Sequence, residues 1–237
     1  MTSAESVAAA CRVLAATGLV EHVLGHVSLR TGPDRLLVRC RGPRESGLAW
    51  TTARDVCEVP LDGPADVAPW TAPNELPIHR VLLRRRPDVT AVVHAHPPAV
   101  VAYSLLDRPL LPVYGAYDIP GAALAAGGGV PVWPRAVLIR TDALAGEMAT
   151  ALGDRPVLLL RGHGLVSVAG GPAETALPLA VLQAVAVDTL ARTTLAVLQA
   201  GGTPRAIDDA DLAELPDLGA GFTVETMWRH LLRRLDT

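Results

Sequence analysis

Two periods of apolar and polar positions alternate along this chain, and the switches between them mark its elements. Residues 6–17 repeat apolar positions at helical spacing. Thr2 and Glu5 form a capping-box pattern before them, and Gly18 stops the run. Residues 26–30 and 35–40 read as two strands around a Gly-Pro-Asp turn, and a further strand is expected over 56–61. A helix is predicted over 75–86, capped by Asn74, with Pro77 tolerated in its first turn and Pro87 ending it. Residues 89–96 read as a buried strand and 97–106 as the helix after it.

The second half continues in kind. A helix over 141–152 closes at Gly153, and strands over 157–161 and 165–169 flank the break Gly162-His163-Gly164. A long helix spans 172–200 to Gly201-Gly202, and a last one lies near 223–235. Strands and helices interleave without a long linker or repeat, so the pattern predicts one α/β domain. The short strand pairs favour a mixed sheet with antiparallel pairing over a doubly wound parallel one.

Composition narrows the chemistry. The formal net charge is −3, which argues against a general nucleic-acid binder. All 21 basic residues are arginine. A lysine Schiff base is therefore excluded, with carbonyl substrates or with pyridoxal phosphate, and so is a phosphate loop ending in Gly-Lys. Cys11, Cys40 and Cys57 stand at no metal-ligand spacing and read as reduced thiols. The N-terminus lacks the basic start and apolar run of a secretory signal. The most apolar stretch, 176–200, is interrupted by Gln183, Asp188 and Arg192, so no membrane span is expected and a cytoplasmic location is.

Three of seven histidines stand where a metal site can be built. His94 and His96 share one face of a strand, and His163 lies between glycines at a bend. Such a set either holds an ion with open positions for water or substrate, or is a group of ordinary histidines. Glu75 opens a helix, where a carboxylate either complements the helix dipole or serves in catalysis. His79, one turn on, reads as a satisfied buried histidine.

The ordered segments Asn74-Glu75-Leu76-Pro77-Ile78-His79, Val89-Thr90-Ala91-Val92-Val93-His94-Ala95-His96 and Arg161-Gly162-His163-Gly164 together resemble the class II aldolase/adducin family. Gly25-His26-Val27-Ser28 is similar to that family's Gly-Asn-Val-Ser segment. The resemblance spans residues 7–200 and implies a three-layer α/β/α fold around a mostly antiparallel mixed sheet. It implies one domain over 1–237, with a C-terminal helical extension over 204–237. It also implies a homotetramer with active sites at subunit interfaces. His94, His96 and His163 match the ligands of a divalent metal, and Glu75 matches the acid/base. Zinc is favoured by ligand type, with manganese or iron also suited. A tyrosine from a neighbouring subunit is implied as proton donor, with Tyr114 and Tyr117 in the right region.

The chain departs from the family where sugar phosphates bind. Pro73-Asn74-Glu75 replaces Ser-Ser-Glu, His26 replaces the asparagine, and Arg41-Gly42-Pro43-Arg44 replaces a Thr-Pro-x-Gly turn. His26, Arg41, Arg44 and Asn74 are thus expected to meet a small, unphosphorylated substrate, with the arginines pairing with a carboxylate. Aldol cleavage of a hydroxy-carbonyl or hydroxy-acid compound, through an enediolate stabilised by the metal, ranks first. Metal-dependent decarboxylation ranks second. An adducin-like assembly module is the non-catalytic alternative.

Overall fold

The structure, a computed structural model, describes residues 1–219 and 221–235. Its elements are α1 (Ser3–Ala16), β1 (His26–Arg30), β2 (Arg35–Arg39), β3 (Val56–Pro60), α2 (Leu76–Arg85), β4 (Val89–Ala95), α3 (Pro98–Ser104), α4 (Ile119–Ala125), β5 (Val132–Trp133), α5 (Asp142–Leu152), β6 (Val157–Leu160), β7 (Gly164–Gly170), α6 (Ala173–Gln199), α7 (Asp209–Glu214), a π-helix (Gly221–Trp228) and α8 (Arg229–Arg233). The seven strands form one sheet in the order β3-β2-β1-β4-β7-β6-β5. Every pairing is antiparallel except β5 with β6, so the expected mixed, mostly antiparallel sheet is present.

Period-2 alternation in the strands builds two cores. Val27, Leu29, Ala91, Val93, Ala95 and Leu165 face α1, α3 and α6, while Leu36, Val38, Val92, Leu158 and Val166 face α2 and α5. Helices on both faces complete the α/β/α layering. By length and composition α6 could cross a membrane, but it packs on β4 and β7 as the central helix of one layer. The capping box at Thr2 and Glu5 forms as expected, and Thr141 caps α5.

One cap differs from expectation. Glu75, not Asn74, occupies the cap of α2, and its carboxylate makes no capping bond. That carboxylate is turned inward, which frees Asn74 to line a cleft. The final helix begins as a π-helix, and the expected extension over 204–237 includes residues 220, 236 and 237, which lie outside the described residues.

Candidate metal centre

Register across the sheet gathers the predicted residues. His94 lies near the end of β4, opposite His26 on β1 and Val166 on β7. β6 and β7 form a hairpin whose turn carries His163 back to the same end of β4. Gly164 makes this approach possible: a Cβ there would stand 2.2 Å from the Ala95 carbonyl oxygen and 3.0 Å from the His96 Cα. Gly25 serves the other side, at φ +87°, where a Cβ would stand 3.2 Å from the His94 carbonyl.

Glu75, His94, His96 and His163 present donor atoms that all lie within 4.8 Å of one another. The Nε2 atoms of His94 and His96 are 2.7 Å apart, and Glu75 Oε2 lies 3.3 Å from His94 Nε2 and 3.4 Å from His163 Nε2. His94 Nδ1–H donates to the Leu165 carbonyl at 2.9 Å, so its Nε2 presents a bare lone pair to the cluster. That is the outer hydrogen bond by which a ligating imidazole is oriented. Three imidazoles and one carboxylate aimed at one point suit a divalent ion, and His94, His96 and His163 would hold it.

Electrostatics agree with that reading. Burial alone would raise the pKa of Glu75, but the adjoining His163 and His94 outweigh it and hold the carboxyl well below the usual range. Its other oxygen, Oε1, accepts from the Ile139 backbone N–H at 2.8 Å, which fixes the carboxylate plane. Glu75 is therefore ionised and oriented toward the histidines, and it makes no capping bond to α2. Burial, helped by His94, pushes His79 and His96 down to about 3, and burial carries His26 well below its ordinary value. These rings are neutral imidazoles in the fold.

A cleft of about 110 Å³ opens on the cluster, lined by Glu75, His96, His26, Asn74, Arg41 and Arg39, with Val23, Leu24 and Leu138 among its apolar wall. Arg44 departs from expectation. It stands exposed on its loop and does not line the cleft. Arg39, which the sequence placed within a strand and left without a role, does line it. Arg39 is 4% exposed, forms an ion pair with Glu45, and keeps a buried Nε without a partner among the described residues. Glu45, six residues on, was the only signal that this strand arginine turns inward. A larger apolar groove of about 710 Å³ lies elsewhere, between α4, α6 and residues 212–219, and holds no such cluster.

The two tyrosines stand apart from the cleft of their own chain. Tyr114 OH donates to Asp118 Oδ2 at 3.4 Å, and burial together with that carboxylate pushes its phenol up. Tyr117 packs edge-on against Tyr114 and is 76% exposed. His79 is fully buried and bonded, as expected, but its partners are His26 and Ser28 of β1.

The model of the class II aldolase and adducin N-terminal domain matches residues 5–195. The chain is 57% identical to a 3,4-dihydroxyphthalate decarboxylase from Arthrobacter keyseri, over 98% of its own length and 93% of the relative. It is 54% identical to the protein of that name from Terrabacter sp. strain DBF63, over 97% and 95%. Among solved structures, L-fuculose-1-phosphate aldolase from Thermus thermophilus superposes with a TM-score of 0.72 at 29% identity, covering 87% of this chain and all of that one.

Proposed function

Since the chain belongs to the class II aldolase and adducin family and is a metal-dependent lyase, we propose that it decarboxylates a dihydroxylated aromatic dicarboxylate of the 3,4-dihydroxyphthalate type. The observation that carries this reading is one arrangement. An ionised Glu75 meets three imidazoles at the floor of a cleft whose remaining polar lining, His26, Asn74, Arg41 and Arg39, is rich in hydrogen-bond donors. Such a cleft suits an anionic substrate, and its apolar wall of Val23, Leu24 and Leu138 suits the face of a ring. The sequence alone ranked aldol cleavage first. Two relatives at 57% and 54% identity over nearly their whole length favour the second reading instead.

His94, His96 and His163 would hold a divalent ion, which when bound would supply Lewis acidity toward a substrate hydroxyl. Glu75 Oε2 takes the hydroxyl proton and delivers it to the ring carbon that carries the leaving carboxylate. The C–CO₂ bond then breaks, its electron pair returns to the ring, and CO₂ departs; the phenolate oxygen regains a proton from solvent. Arg41 and Asn74 position the substrate, and buried Arg39, its charge balanced by Glu45, lends N–H groups to the cleft wall. Zinc is the ion that the ligand set favours. Tyr117, exposed on its own chain, is free to serve a neighbouring cleft in the homotetramer that the family implies.

The test is product analysis with metal-loaded protein and 3,4-dihydroxyphthalate. The expected result is one CO₂ and one dihydroxybenzoate per substrate consumed. No CO₂ from that substrate, with an aldehyde released from a hydroxy-carbonyl compound, would overturn decarboxylation in favour of aldol cleavage.

A further inference from the structure

Behind the cleft, on the side of β1 away from α6, three polar side chains are joined in a line. Ser28 is fully buried, and the one hydrogen bond of its hydroxyl is to His79 Nδ1 at 2.6 Å. His79, also fully buried, places Nε2 at 2.7 Å from His26 Nδ1. His26 lines the cleft, and its ring lies 5.0 Å from that of His94.

Proton bookkeeping along this line has one consistent solution. The Ser28 hydroxyl must place its proton on an acceptor, and among the described residues His79 Nδ1 is the one it meets. His79 then carries its own proton on Nε2 and donates it to His26 Nδ1. His26 is left with its proton on Nε2, the nitrogen that does not take part in the line. The reverse order would leave the Ser28 proton without an acceptor among the described residues.

We propose that Ser28 and His79 are positioning residues that lock His26 as an Nε2–H donor, and that this N–H, beside Arg41, forms the subsite for the carboxylate that the substrate retains. The proposal rests on the decarboxylase reading and names which part of the substrate this wall recognises. A free imidazole in the cleft would divide between two tautomers, and one of them would turn a lone pair toward the anion. The lock removes that tautomer. A site built to donate to a substrate group also discriminates strongly against an analogue that lacks it.

The experiment is a two-bond ¹⁵N–¹H correlation spectrum of metal-loaded, histidine-labelled protein, with His26→Gln and His79→Gln assigning the two rings. Both rings are expected as Nε2–H tautomers, and an Nδ1–H tautomer or an imidazolium at His26 overturns the lock. A second arm titrates phthalate and catechol, which carries no carboxylate, into wild type and Ser28→Ala. Phthalate is expected to bind about tenfold more weakly to the variant, the scale of one charge-assisted hydrogen bond, while catechol changes little. Equal phthalate affinity in the two proteins overturns the subsite, as does inorganic phosphate binding more tightly than phthalate with the same Ser28 dependence. Should Ser28→Ala fail to fold, the wild-type spectrum still decides the lock, and His26→Gln takes the variant's place in the titration. Neither readout requires turnover. Correct tautomers without CO₂ release would remove the decarboxylase reading alone, and CO₂ release with the wrong tautomer would remove the lock alone.

Discussion

Replacing Glu75 by glutamine separates the base from the scaffold around it. The amide keeps the shape, and its oxygen can still accept from the Ile139 N–H, now 2.8 Å from Oε1. Its NH₂ would stand where Oε2 now lies, 3.3 Å from His94 Nε2 and 3.4 Å from His163 Nε2, spacings that a neutral amide also fits. The fold should therefore survive, and most metal should remain because the three imidazoles are untouched. What disappears is the basic oxygen. Loss of general acid–base help typically costs ~10²–10⁴-fold in rate, or about 2.7–5.5 kcal/mol of barrier. The assay is CO₂ release per bound metal, with occupancy from elemental analysis of the same sample. Wild-type turnover by a fully loaded Glu75→Gln would refute the assignment and return Glu75 to a structural role.

Further outcomes are expected. His96→Ala should lower metal occupancy itself, with activity falling in proportion; full occupancy would remove His96 from the ligand set. Burial holds His79 and His96 neutral, with pKa about 3, against about 6.5 in an unfolded chain. Unfolding takes up protons below that upper value, so stability is complete above it and falls as pH drops toward 3, by about 1.4 kcal/mol per pH unit for each ring. Urea melts from pH 7 to 4 that showed no such slope would contradict the neutral pair. Asp188 in α6 is 3% exposed, accepts from Arg192 at 2.6 Å through Oδ2, and has no partner for Oδ1 among the described residues. Burial raises its pKa, so its charge costs stability above that value and the cost fades in acid. Asp188→Asn should accordingly raise Tm most at alkaline pH, by the equivalent of about 1 kcal/mol, and an unchanged Tm at pH 8 would refute this.

The strands of the sheet other than β5 were legible because each has a buried face or a continuous apolar run. His94 and His96 were legible through their spacing, and His163 through its glycines. α4 was not, because Pro120 and Gly121 punctuate it like a loop, and β5 is only two residues long. The cap of α2 was misplaced because a local rule favours Asn74, whereas tertiary contacts with His94 and His163 draw Glu75 inward. Arg39 carried no role in the strand pattern, and the fold brings Glu45 back to meet it. Ser28, His79 and His26 were each readable singly. Their connection depends on α2 lying against β1, which no local spacing encodes.

The division of the cleft between strands also bears on how such a chain diversifies. The metal-facing imidazoles come from the inner strand β4 and the β6–β7 turn, whereas His26, Arg39, Arg41 and Asn74 come from β1, β2 and the segments beyond β2 and before α2. Substitutions in the outer group would alter which ligand the cleft accepts while leaving the three imidazoles of the inner group in place. A change in specificity would thereby be uncoupled from a change in the imidazole cluster, so a lineage can pass through intermediates that keep the cluster intact.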